Sequence, residues 1–184
     1  MTTKTKIFIA LLIVALAAAS RLVPHPFNFT PIAAIAIFSG CYFQKRWGIA
    51  FPLAAMILSD ILLYVTKYGW SLFDWKTTLA VYAAVALAFV IGRQLSKHKT
   101  WYFIGGGAVL ASLIFFFITN LAVWAFFNWY PHTWAGLLSC FTLAIPFFRN
   151  SLAGDLTYTT LFFGAYEAVL LVAERKLSFS SRKI

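Results

Sequence analysis

The sequence is a succession of apolar runs, at 6–22, 31–43, 47–66, 78–95, 101–128, 134–148 and 151–173, parted by short polar turns. A straight crossing of a hydrocarbon core about 30 Å thick takes roughly 20 helical residues, with a range near 17–25. The runs 6–22, 47–66, 78–95 and 151–173 meet that length, and 101–128 is long enough to tilt or to project outward. The runs 31–43 and 134–148 are shorter. Each is either a short span or a segment shielded by the other helices. A chain of 184 residues with only 11% charged side chains cannot hide this much apolar surface in a core of its own, since soluble domains carry about 25% charged residues. The expected fold class is therefore all-α: a polytopic membrane protein, a single domain over 1–184, with six transmembrane helices at 6–22, 31–43, 47–66, 78–95, 101–128 and 151–173. The run 134–148 is an additional short hydrophobic segment before the last helix.

The basic residues choose among the topologies. If 31–43 spans and 134–148 does not, both termini fall on one side. That side holds Lys4, Lys6, Lys45, Arg46, Arg93, Lys97, Lys99, Arg175, Lys176, Arg182 and Lys183, eleven of the fifteen Lys and Arg. Arg21, Lys67, Lys76 and Arg149 fall on the other. The positive-inside rule then places both termini in the cytoplasm of a bacterial inner membrane. The formal net charge of +10 is explained by topology and by anionic lipid, with no need of a nucleic-acid partner. A basic start, a short apolar run and an Ala-rich end also fit a cleaved signal peptide. We read this segment as an uncleaved first helix, because the rest of the chain is membrane-embedded.

Polar groups inside spans usually face a cavity or a partner. At 1.5 Å per residue Asp60 lies about 20 Å beyond Trp47, in the outer third, and Asp155 about 6 Å below the outer start of the last helix. Arg21, His25, Asn28, Asn120, His132, Arg149 and Asn150 fall at the same level. Ion pairs Arg21–Asp60 and Arg149–Asp155 would satisfy some of them structurally. As a group they point to a cavity. Glu167, near the inner end, is expected to pair with a basic residue such as Arg93.

The aromatic residues gather at the same outer boundary. Most of Trp70, Trp75, Trp124, Trp129, Tyr130 and Trp134 read as an interfacial belt. WAFFNWYPHTW, 124–134, is so dense in rings and polar groups that Trp124 and Trp134 are also candidates for stacking on a flat ligand. Cys41 and Cys140 lack metal or redox spacing and read as small buried hydrophobes. No GxSxG, HExxH or phosphate loop is present, Ser59 beside Asp60 is a poor nucleophile–base pair, and no close spacing of ligands supports a metal among His25, His132, Asp60 and Asp155. The expectation is a non-enzyme without metal or cofactor. The glycines at 105–107 read as close packing or a flexible point.

The order of these segments resembles the substrate-binding membrane subunits, or S components, of energy-coupling-factor (ECF) transporters. FNFTPIAAIAIFSGCYF resembles their second element, RWGIAFPLAAMILSDILL their third helix, and IPFFRNSLAGDLTYTTLFFGAYEAVL their ending, with Gly154-Asp155 opening the last helix. The pattern RLxPHxxNFTPIxAIAxFxG is also similar to an uncharacterised bacterial family of predicted membrane proteins. The first resemblance implies binding and uptake of a vitamin-like nutrient near the outer face. The ligand-binding residues would be Arg21, His25, Asn28, Asp60, Asn120, Trp124, His132, Trp134, Arg149, Asn150 and Asp155. It also implies that Ala15 and Ala19, at the spacing AxxxA, pack on an ECF-type transmembrane coupling protein that works with ATPases. No His stands near the start, which argues against the nickel- and cobalt-binding branch. The alternative is a membrane scaffold or assembly protein whose polar cluster is purely structural.

Overall fold

The computed structural model describes residues 3–21, 23, 26–43, 46–69 and 74–181. Among the described residues the chain forms six α-helices: α1 (Thr3–Ser20), α2 (Ile32–Tyr42), α3 (Ala50–Leu63), α4 (Trp75–Leu95), α5 (Trp101–Phe126) and α6 (Trp134–Ser181). The protein is an all-helical membrane protein. Four helical stretches are long and apolar enough to cross a bilayer: Ala50–Lys67, Trp75–Leu95, Trp101–Phe126 and Trp134–Ala173. The first of these joins α3 to a π-helical turn, Tyr64–Tyr68, and stops where Gly69 takes a φ of 74° and donates its N–H to Tyr64 O. Only glycine enters that conformation without steric cost. The α1 and α2 helices contain shorter apolar stretches, Ile7–Ala17 and Ile32–Tyr42.

The shortest helix is the hub of the bundle. Every residue of α2 from Ala33 to Cys41 is buried. A helix that is apolar all round belongs inside, not at a boundary. Small residues let its neighbour come close. A Cβ placed on Gly40 would overlap Phe89 O of α4, and one on Gly92 of α4 would overlap Ile37 O of α2. The two backbones therefore touch through a pair of glycines, as small residues allow in lipid. On the α6 side Phe38 packs edge-on against Phe163 and Tyr166, with centroids 5.3 and 5.6 Å away.

The two ends of α2 set the depth scale. Its C-terminal Tyr42 donates its hydroxyl to Glu167 Oε1 at 2.8 Å, and Lys99 Nζ lies 4.2 Å from the Tyr42 ring centroid. Glu167 thus has a tyrosine partner in place of the expected Arg93. From this end α2 rises about 15 Å to Ile32, half the thickness of a hydrocarbon core. It is about half the length of a full span, and the described loop residues Phe29 and Thr30 lie against α6 at Gly154.

The segment 134–148 is not separate from the last span. It is the first third of α6, a single helix of 48 residues. Pro146 removes one helical N–H and the helix continues through it. The polar pair Arg149-Asn150 lies on an exposed face, so nothing forces a break there. The α6 helix runs antiparallel to α5. Phe116 packs edge-on against Phe141 and at a tilt against Phe148, Ser112 reaches Asp155, and Trp101 lies 3.9 Å from a Cβ position on Gly164.

Candidate functional site

Arg21, Asn28, Asp60 and Asn120 lie around two cavities, and Asp155 belongs to a separate buried bond network. Arg21 directly follows α1 and its guanidinium crosses to α3. Nη2 donates to Asp60 Oδ1 at 2.7 Å, and Nη1 donates to Ser59 Oγ and, at 3.5 Å, to Met56 O. Tyr82 of α4 donates its hydroxyl to Asp60 Oδ2 at 3.0 Å. Both carboxylate oxygens are thus engaged. The ion-paired side chains of Arg21 and Asp60 are only 10% and 22% exposed, so removing one would strand the other in a poorly solvated place. Around this pair lies a cavity of about 340 Å³, lined also by Asn28, Thr30, Tyr64 and Lys67.

A second cavity of about 280 Å³ opens between α4, α5 and α6. Phe115, Phe116, Phe147 and Phe148 form its apolar walls, and Asn28, Thr119, Asn120 and Ser151 bring the polar atoms. Phe116 and Phe148 stand with centroids 4.9 Å apart. Asn120 Nδ2 donates to Phe116 O at 2.7 Å, one turn back on its own helix. Its side-chain oxygen has no donor among the described residues.

Asn28 lines both cavities. It holds a φ of 60°, a left-handed conformation that asparagine tolerates better than most residues. The α6 helix keeps this loop in place from beneath. Asn150 Nδ2 donates to Phe27 O at 3.1 Å. A Cβ on Gly154 would come within 3.2 Å of Phe29 Cα and Thr30 N, so glycine lets the loop backbone lie directly on the helix.

Residues 1–178 match DUF6580, a family of unknown function. The chain belongs to that family. No curated protein and no solved structure matches it. The role of this DUF6580 member therefore has to come from its own geometry.

Asp155 lines neither cavity. It is 5% exposed, accepts Ser112 Oγ at 2.7 Å, and faces the backbone N–H groups of Ala33 and Ala34. Those amides open α2, where Pro31 stands at the cap position and offers no side-chain bond. A carboxylate from α6 thus caps the buried half-helix, satisfying orphan donors and facing the positive end of its dipole. The expected partner Arg149 is not there: it is exposed on α6, and Ser112 takes its place.

The aromatic turn lies elsewhere. Trp124 Nε1 donates to Pro131 O at 3.1 Å and its ring meets His132 edge-on at 5.4 Å, closing the turn from α5 into α6. Trp134 is 82% exposed. None of the three lines either cavity. Their placement fits an interfacial belt. His25 lies outside the described residues. Ala15 and Ala19 line a separate apolar groove of about 380 Å³ between α1 and α3, with Leu11, Phe51, Leu58 and Leu62.

Several cavity residues went unnoticed in the sequence although a signal existed. Tyr64 and Lys67 are four and seven residues beyond Asp60, on one helical face, and Phe116 is four before Asn120. Phe148 had no such marker.

Proposed function

We propose that this protein binds a small-molecule nutrient from the outer side of a bacterial inner membrane and takes part in its uptake, as an S component of an ECF transporter does. The observation that carries the reading is the shared wall: Asn28, in the loop before α2, borders both a charged cavity and a phenylalanine-walled one. Ligand sites are typically concave, largely apolar and supplied with a few placed polar groups. A loop laid against α6 and bordering both cavities provides that form. The apolar groove that contains Ala15 and Ala19 supports a second element of the reading, docking of a transmembrane coupling protein that works with ATPases. The basic cluster on the Tyr42 side supports cytoplasmic termini.

The test is a binding measurement on purified protein against a panel of vitamins and related heterocycles. Binding by a panel member is expected. Arg149→Ala should leave it unchanged, because Arg149 lies outside both cavities, while Asn28→Ala should weaken it. No binding across the panel would sink the idea. A scaffold role is favoured by one observation, the burial of Asp155 against Ser112 and the start of α2. Under that reading, Asp60→Asn with Arg21→Gln lowers stability and changes no uptake.

A further inference from the structure

The polar side chains of the phenylalanine-walled cavity restrict what it can hold. We propose that this chamber, between α4, α5 and α6, binds a small, uncharged heteroaromatic ring that carries an N–H donor on its edge. The inference rests on the small-molecule reading and narrows it to a substrate class. The charged chamber beside Arg21 and Asp60 takes no part in it.

Charge is excluded first. Every residue that lines the chamber is uncharged, and its polar side chains are Asn28, Thr119, Asn120 and Ser151. A carboxylate or an ammonium placed there would lose water and meet no counter-charge in the lining. The hydrogen-bonding pattern then sets the edge of the ligand. Thr119 Oγ1 donates to Phe115 O at 2.8 Å, and Asn120 Nδ2 donates to Phe116 O at 2.7 Å. Each side chain thus turns a donor back to a carbonyl one turn earlier on α5. A hydroxyl has a single hydrogen, so toward the chamber Thr119 can only accept. The Asn120 side-chain oxygen is an acceptor with no donor among the described residues. Two acceptors from α5 on one chamber call for a ligand that donates. An N–H on the ring edge satisfies the Asn120 oxygen, and a ring without one leaves it unpaired.

The walls set the shape. Phe115 and Phe116 come from α5, and Phe147 and Phe148 from α6. Phe116 and Phe148 stand with centroids 4.9 Å apart, inclined at 46°, and Phe141 packs edge-on on Phe116 at 5.5 Å. Ring faces and ring edges carry opposite partial charge, so such a wall attracts a planar π-system by more than its buried area and gives a saturated ring no such gain. The volume of about 280 Å³ lies just below the usual range of ligand pockets, which starts near about 300 Å³. It suits one ring or two fused rings without a long substituent. Asn28 and Ser151 can each donate and accept, and so can meet a carbonyl beside the ring N–H.

Quinolin-2-one has the required parts and serves as the probe. Three relatives each change one of them: 1-methylquinolin-2-one lacks the N–H, decahydroquinolin-2-one is saturated and puckered, and quinolin-2-one-4-carboxylate carries a charge. Calorimetric titration of the purified full chain, with the heat of titration into protein-free micelles subtracted, is expected to rank quinolin-2-one tightest, by about fivefold or more over each relative. Asn120→Ala should remove the advantage over the methylated probe, and Phe148→Leu the advantage over the saturated one. Arg149→Ala, outside the cavity, should keep the full ranking, and a changed ranking there would overturn the site by placing the binding elsewhere. Equal affinity for any of the three relatives overturns this assignment while leaving a small-molecule site standing. Absence of binding by all four probes overturns it too, and the vitamin panel decides the broader reading separately. Loss of helical content in a variant is checked by circular dichroism. Should a variant unfold, the probe ranking on the unaltered protein is decisive by itself.

Discussion

Three buried or half-buried hydroxyls show how differently one chemical group acts in this bundle. Ser112 donates to Asp155, Tyr82 donates to Asp60, and Ser39 Oγ, fully buried in α2, has no partner among the described residues. Removing a donor from a buried carboxylate costs more than removing a hydroxyl that bonds nothing. Ser112→Ala should therefore destabilise by about 1–3 kcal/mol and Ser39→Ala should be neutral or slightly stabilising. Unfolding in detergent micelles measures both. Equal effects would refute the role of Ser112 as a partner of the buried Asp155. Asp74 gives the corresponding prediction for pH. It stands at the N-cap of α4, and the Thr77 backbone N–H, followed by the Thr77 hydroxyl, holds its carboxyl below the ordinary value. A lowered folded pKa contributes stability above the ordinary carboxylate value, near 3.9, which is lost as pH falls through the lowered folded value. Asp74→Asn keeps a capping side chain without the charge. Its stability should fall less below about pH 4 than that of the unaltered protein. An unchanged acid limb in Asp74→Asn would show that the loss arises elsewhere.

At the scale of elements, glycine position decides which helices touch. Gly92 faces the Ile37 carbonyl across the α2–α4 contact, whereas Gly105 of α5 meets nothing within 4 Å. Gly92→Ala should push the helices apart and destabilise by about 1–3 kcal/mol. Gly105→Ala should stabilise by up to about 1 kcal/mol through helix propensity alone. Matching thermal shifts for the two would contradict this packing. The glycine triplet at 105–107 reads in the sequence as close packing or a flexible point, and of the three Gly107 is closely packed, with its Cβ position against the Leu95 side chain. The positions of five helices were legible because long apolar runs in lipid leave few alternatives. The continuity of α6 was not. Pro146 and Arg149-Asn150 look like a break in one dimension, and only the exposed face on which that pair lies shows that a helix can pass through them. The site was half legible for a related reason. Depth along each helix places Arg21, Asn28, Asp60 and Asn120 at one level. Rotation about the helix axis, which turns Asp155 inward to cap α2 and leaves Arg149 outside, is a property of the packed bundle.

For the whole molecule, orientation in the membrane ties the proposed function together, since a nutrient site is of use only if it opens to the side the nutrient comes from. The bundle has a Tyr42 end, with Lys99 and Glu167, and an Asp60 end, with both cavities. The sequence expectation of six spans puts eleven of fifteen Lys and Arg on the side of the Tyr42 end, and the proposal that this side is cytoplasmic follows from the positive-inside rule. Accessibility labelling tests this directly. The native thiols Cys41 and Cys140 are both buried, so the background is low. Asn128, in the turn between α5 and α6 at the Asp60 end, and His98, in the turn between α4 and α5 at the Tyr42 end, are both exposed. With Asn128→Cys, a membrane-impermeant maleimide should label intact cells. With His98→Cys, labelling should appear only after permeabilisation. The reverse pattern would turn both cavities toward the cytoplasm and remove the basis for uptake, because the loop wall, the charged chamber and the phenylalanine chamber all share that end.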